Sequence, residues 1–238
     1  MNLRTIFKKT VLFFVPSPVK RVLGKLPVDG NLSYSQEGED LILQRFLDYR
    51  PNGFFVDVGA LHPSRFSNTY LFYCKGWRGI NIEAMPGSME LFNKIRPSDI
   101  NIEKAISDKA EPLTFHIFNE PALNTFSAEE AAKKDGLRDY KVIQKVELMT
   151  ETLANIFDTF LAEDQKIDFL TIDVEGMDLR VIKSNNWEKY RPEYVLVEEL
   201  ESDLETVMSE SPVYKFMRGV DYKLVARSYN TCFYSRIN

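Results

Sequence analysis

Two hydrophobic periods alternate along this chain. Phe54, Phe55, Val56 and Val58 make a short strand-like run with one acid inside it, Asp57, and Gly59-Ala60 turn the run over. Asn68, Leu71, Phe72 and Cys74 then keep helical spacing, which predicts a helix over about 66–75. The unit recurs. Gly79 to Glu83 reads as a second strand ending on an acid, and a helix over Gly87 to Ile95 follows Pro86. Asn101 to Ile106 reads as a third strand, and Thr150 as the cap of a helix carrying Leu153, Ile156, Phe157, Phe160 and Leu161. Asp168 to Asp173 is apolar almost up to its terminal acid, as a buried parallel strand should be. A helix through Leu179 and Ile182, a strand over Tyr194 to Glu198 and a helix around Leu204 to Met217 continue the pattern. The chain ends in two strands, Tyr222 to Arg227 and Thr231 to Arg236, separated by Ser228-Tyr229-Asn230 as a hairpin. The prediction is an α/β three-layer fold: a mostly parallel seven-strand sheet with a C-terminal antiparallel hairpin. Ligands of such sheets sit outside the carboxyl ends of the strands.

Two segments break the period. Residues 111–149 hold two alternating runs, Leu113 to Phe118 and Val142 to Met149, around a polar, turn-rich stretch with a helix-prone patch at Ala128 to Lys134. We read them as an insertion bearing substrate-binding elements, because long loops inside compact domains are usually functional or disordered. Residues 1–31 form a basic arm ahead of a single domain over 32–238. Within it, Met1 to Val28 carries six basic residues and no acid, and Leu3, Ile6, Phe7, Val11 and Phe14 share one side of a helix. Such a helix suits peripheral contact with the inner face of an anionic membrane.

Charge and cysteine content narrow the classes. The net charge is −5, and the chain beyond Val28 holds 24 basic against 35 acidic residues, which speaks against nucleic acid as a partner. Cys74 and Cys232 are far apart and outside any metal-type spacing, which points to a reducing, cytoplasmic setting. Cys74 is expected to pack in its helix. No apolar run approaches the ~20 residues of a membrane span. Nothing in the sequence fixes an oligomeric state.

The first strand and its turn suggest a cofactor. Glu83 stands 26 positions after Asp57, where an acid commonly accepts hydrogen bonds from ribose hydroxyls. The turn offers one glycine where a pyrophosphate-binding turn wants three. A cofactor with ribose and adenine but no pyrophosphate fits, and S-adenosylmethionine is one. On this reading Asp57 and the Gly59-Ala60 turn take its amino-acid end, Glu83 its ribose and the loop at Asp108 its adenine. Gln36 and Glu39, in the polar Ser33 to Asp40 loop, fold over the site. His62, just beyond the turn, is a candidate general base. Asp173 and Glu175 are candidates to bind the acceptor, act as base, or, with Glu198, hold a divalent cation such as Mg²⁺. His116, Asn124 and Thr125 in the insertion are candidates for the substrate side.

Six motifs, in order, resemble the FkbM-type methyltransferases: Y-S-Q-E-G-E-D-L-I-L (Tyr34 to Leu43), F-V-D-V-G-A (Phe55 to Ala60), S-N-T-Y-L (Ser67 to Leu71), G-W-R-G-I-N-I-E-A (Gly76 to Ala84), I-D-F-L-T-I-D-V-E-G-M-D (Ile167 to Asp178) and R-P-E-Y-V-L-V-E (Arg191 to Glu198). The resemblance implies a class I methyltransferase fold, S-adenosylmethionine, and O-methylation of a hydroxyl on a saccharide, glycoconjugate or natural product. The family often carries Glu after the D-V-E-G-x stretch, where this chain has the shorter Asp178. Two alternatives share the pattern: N-methylation of an amino sugar, and a non-catalytic Rossmann-like binding or scaffold protein.

Overall fold

The large sheet is laid down in the order the periodicity predicts. The computed structural model describes residues 31–200 and 203–237; the arm's amphipathic helix and its membrane contact therefore fall outside the described residues. Strands β1 (Phe54–Val58), β2 (Arg78–Glu83) and β3 (Ile100–Glu103) alternate with helices α1 (Glu39–Phe46), α2 (Tyr70–Cys74) and α3 (Met89–Ile95). The second half holds α5 (Leu153–Phe160), β7 (Phe169–Ile172), α6 (Asp178–Lys183), β8 (Tyr194–Glu198), α7 (Leu204–Glu210), α8 (Pro212–Gly219), β9 (Tyr222–Arg227) and β10 (Thr231–Arg236). The seven strands order as β3-β2-β1-β7-β8-β10-β9. All neighbours are parallel except β10, which inserts between β8 and β9 and runs antiparallel to both. This is the mostly parallel seven-strand sheet with a C-terminal antiparallel hairpin that the periodicity predicts. Among the described residues no helix is long and apolar enough to cross a membrane.

Strand alternation sorts the core onto two faces. Val56, Val58, Ile80, Ile82, Leu170, Ile172, Val195 and Val197 pack with Ile156, Phe157, Val181 and Met217 on one side. Phe55, Phe169, Leu196 and Phe233 pack with Leu43, Leu47, Phe72 and Trp77 on the other. At the centre, chain order reverses between β1 and β7. That reversal opens a crevice at the carboxyl ends of the strands.

The insertion supplies β5 (Pro112–Phe118) and most of β6 (Val142–Glu151), which with β4 (Ala105–Ile106) form a small sheet ordered β4-β6-β5. A 3₁₀ turn at Pro121–Leu123 and helix α4 (Ala128–Lys134) lie between β5 and β6.

Four local expectations are corrected. The third strand divides at Lys104, whose N–H donates to Glu83 O at 3.0 Å; Ala105 and Ile106 then leave the large sheet and pair with Thr150 and Glu151. Thr150 is thus a strand residue, its hydroxyl held by the carbonyls of Lys109 and Glu111, and Thr152 caps α5 by accepting from Asn155 N–H at 3.3 Å. The helix expected over Leu204 to Met217 is two helices. Pro212 lacks the N–H to continue α7 and opens α8 instead, with Ser211 Oγ capping Tyr214 N–H at 3.0 Å. Cys74 is exposed at the end of α2 instead of packed.

Candidate functional site

A cavity of about 360 Å³ lies where β1, β2, β7 and β8 end. Gly59, Glu83, Asp173, Glu175 and Glu198 line its sheet side, and Phe115, Asn124, Phe126 and Tyr140 its insertion side. Gln36, in the polar loop before α1, also lines it. Glu39 does not; its carboxylate accepts from Ser228 Oγ at 2.8 Å and Glu37 N–H at 2.9 Å, tying the start of α1 to the terminal hairpin.

Glu83 is fixed at the cavity wall by backbone N–H groups. Its two oxygens each take one backbone N–H, from Leu61 and from Met85, both at 2.9 Å. An ionised carboxylate has roughly four acceptor positions, so about two remain for hydroxyl donors. Burial pushes its pKa up, and the N–H groups of Met85, Leu61 and Ala84 draw it back.

Asp57 does not line the cavity. It shares a strand face with Phe55, so its side chain enters the layer beneath the sheet and not the crevice. There Thr69 Oγ1 donates to it at 2.7 Å, and Arg96 Nη1 donates to the same hydroxyl at 3.0 Å. Burial pushes the carboxyl up to about 6 against the pull of Thr69 and Arg96. Asp57 ties β1 to the α2 entry loop. Ala60 is buried beside the site, its N–H given to Ile82 O at 3.1 Å. Gly59 has φ +82°, and a Cβ there would sit 1.8 Å from the Asp173 carbonyl oxygen. The glycine lets the turns after β1 and β7 touch.

His62 is a turn residue. Its Nδ1 accepts from the N–H of Ser64 at 3.1 Å and of Arg65 at 3.0 Å, which leaves the ring proton on Nε2 and no free base. Its pKa is lowered by burial and by the Arg65 charge, and it does not line the cavity. His62→Ala is expected to cost roughly 0.5–2 kcal/mol of stability, as a lost cap does. Methyl transfer should stay within about threefold of wild type, because an acid–base catalyst would be worth far more. A tenfold loss of turnover at an unchanged melting temperature would restore His62 as a base.

Asp108 also lies elsewhere. Arg180 Nε donates to it at 2.7 Å and holds its carboxyl below the usual range. Ala84, Lys104 and Ile106 line the cavity on that flank instead. Of the insertion residues, Asn124 lines the cavity while its Oδ1 accepts from Phe118 N–H at 2.8 Å. Thr125 and His116 stand behind the wall, their backbones bridged to each other at 2.8 and 3.2 Å. Neither touches the cavity. Sequence reasoning passed over Arg65, Lys104, Phe126 and Tyr140, which carry no motif and reach the cavity through tertiary packing. Arg65 and Glu120 pair at 3.0 Å across its rim.

Asp173, Glu175 and Glu198 converge, with one oxygen of each within 4.8 Å of the others. β7 and β8 are parallel neighbours, so their carboxyl ends deliver these acids to one place. Asp173 is open to the cavity yet ringed by protein; this enclosure, and the charges of Glu198, Glu175 and Asp178, push it well above the carboxylate range. Glu198 is pushed up to about 8 by burial and by Glu175 and Asp178. The spacing suits a divalent cation. One member, Glu175, already faces a protein cation: Lys134 Nζ stands 2.5 Å from its Oε2.

Comparison with known proteins agrees with this architecture. The model of the methyltransferase FkbM domain matches residues 57–224. No curated protein is similar enough to this chain to count as a relative. Among solved structures, the O-methyltransferase of Bacillus cereus in complex with S-adenosylhomocysteine is similar at 11% identity and TM-score 0.44, over 98% of this chain and 96% of that one. The 1,6-didemethyltoxoflavin-N1-methyltransferase of Burkholderia thailandensis is similar at 13% identity and TM-score 0.41, over 84% and 77%. These distant likenesses transfer no chemistry; the family match spans well over half the sequence, and the chain belongs to the FkbM methyltransferase family.

Proposed function

We propose that this methyltransferase uses S-adenosylmethionine to methylate a hydroxyl of a saccharide or glycoconjugate. The observation that carries the O-methylation is the acid cluster at the ends of β7 and β8. A hydroxyl must lose its proton as it attacks, and a base with a pKa near the working pH removes it best. Glu198, raised to about 8, and Asp173, raised well above its usual range, meet that need. A neutral amine attacks through its own lone pair and loses its proton after the methyl group has moved, so it depends less on a base at the moment of attack.

Glu83 accepts the ribose hydroxyls, and the Gly59 turn closes over the cofactor's reacting end. Bound there, S-adenosylmethionine supplies a methyl group already activated by its sulfonium. Asp173 takes the proton of the acceptor hydroxyl and is left neutral, which relieves its repulsion with Glu198. Phe126, Phe115 and Tyr140 offer flat apolar faces, and Asn124 and Gln36 offer hydrogen bonds, a mixture that suits the two-sided surface of a sugar ring. Holding the acceptor in line with the methyl group contributes much of the rate, with effective molarities on the order of 10⁵ M or more. Mass spectrometry of glycans incubated with isotopically labelled methyl donor tests the substrate class. A mass gain on a saccharide hydroxyl is expected; a gain confined to amines would replace the O-methylation reading.

A further inference from the structure

The insertion grips the loop that follows β7. Thr125 Oγ1 donates to the Glu175 carbonyl at 2.7 Å, 50 residues away in sequence. Lys134, on α4, pairs with the Glu175 carboxylate at 2.5 Å, with the two side chains only 17% and 18% exposed. The next residue, Gly176, packs so close to α4 that a Cβ there would lie 2.9 Å from Glu130 Cγ. Glu175 itself sits at φ +52°. A residue with a side chain holds that left-handed conformation only when its surroundings impose it. Here the surroundings are the insertion: one contact fixes the carbonyl, another the carboxylate.

The grip has a consequence for the cavity. Asp173 lies two residues before Glu175, on the same turn, and its carbonyl already touches the Gly59 turn. The Val174 and Gly176 N–H groups are tied to Asp178, each at 3.2 Å, from the other side. A loop free to leave the left-handed conformation at Glu175 would carry Asp173 and Glu175 away from Glu198 at the end of β8. The ion pair is shielded from water, so it escapes most of the screening that makes surface pairs weak.

We propose that Lys134 and Thr125 are positioning residues: they clamp the Glu175 loop and thereby set Asp173 and Glu175 where the acceptor binds. This rests on the methyltransferase reading above. It makes the insertion part of the catalytic machinery as well as a wall, because any acceptor that shifts α4 also shifts the acids.

The test compares wild type with Lys134→Met, Lys134→Arg and Thr125→Val. Amide hydrogen exchange at residues 174–176 is read by mass spectrometry, cofactor-site integrity by titration with S-adenosylhomocysteine, and turnover by transfer of labelled methyl to a pool of soluble mono- and oligosaccharides. In Lys134→Met we expect exchange at residues 174–176 to quicken by about tenfold or more. S-adenosylhomocysteine affinity and the apparent KM for the pool should stay within about threefold, while kcat falls by about 30-fold or more. Lys134→Arg should recover at least about a third of kcat, since its guanidinium can replace the ion pair. Exchange and kcat of Lys134→Met both within about twofold of wild type would overturn the proposal, as would Lys134→Arg failing as badly as Lys134→Met. Should Lys134→Met not fold, Thr125→Val decides by the same exchange criterion. A wild-type protein that binds no S-adenosylhomocysteine would remove the methyltransferase reading, and the exchange comparison would still decide the clamp.

Discussion

Gly59→Ala is expected to destroy the site and much of the stability with it. The backbone at Gly59 has φ +82°, which a residue with a Cβ adopts at a cost. Space is the larger problem. The added carbon would lie 1.8 Å from the Asp173 carbonyl oxygen and 2.8 Å from its carbonyl carbon. Both are backbone atoms at the end of a central strand, and β7 cannot retreat without breaking its ladders to β1 and β8. Strain combined with a clash in the core belongs to the short list of mechanisms with large effects, and we expect at least about 3 kcal/mol. In a domain of this size that lowers the melting temperature by roughly 6–12 °C. Thermal unfolding followed by circular dichroism reads it. A melting temperature unchanged from wild type would mean that the two turns do not meet as described.

Asp173→Asn is expected to abolish transfer while sparing the cofactor. The substitution keeps the side chain's size and removes its ability to take a proton. Loss of a positioned base costs roughly 10²–10⁴-fold in turnover. Glu83, which holds the other end of the cavity, does not contact Asp173 through any hydrogen bond in its network, so S-adenosylhomocysteine affinity should change by less than about threefold. Steady-state turnover and a calorimetric titration on the same preparation separate the two effects. Turnover within about tenfold of wild type would remove Asp173 as the base, and the same result in Glu198→Gln would leave the N-methylation alternative standing.

Much of the fold could be read from the periodicity, because the parallel strands are short, mostly apolar runs, and all but β1 stop on or just before an acid. The divisions at Lys104 and at Ser211-Pro212 were harder for different reasons. The first depends on a partner strand 45 residues further along. The second was visible in the sequence, since Pro212 cannot donate to the preceding turn. In the site, Glu83, Gly59, Gln36, Asn124, Asp173, Glu175 and Glu198 do converge on one cavity. Asp57 and Asp173 look alike in sequence, an acid after a run of strand formers. They differ because Asp57 is inside its strand, on the face of Phe55, whereas Asp173 follows the last residue of β7. His62 attracted attention by its chemistry, yet its ring serves two N–H groups within three residues of it. Thr125, expected on the substrate, turns instead to the loop that holds the acids. No spacing rule reveals that contact, which exists only once the insertion has folded back.

The central claim is that the hollow above β1 and β2 holds an adenosyl cofactor by Glu83. Calorimetric titration of wild type and Glu83→Ala with S-adenosylhomocysteine tests it most directly. Charge-assisted hydrogen bonds are worth about 1.5–3 kcal/mol each, so removing the carboxylate should weaken binding by at least about tenfold. Saturable binding by wild type with that loss in the variant is the expected result; equal affinity of the two proteins, or no heat from wild type at high micromolar ligand, would contradict it.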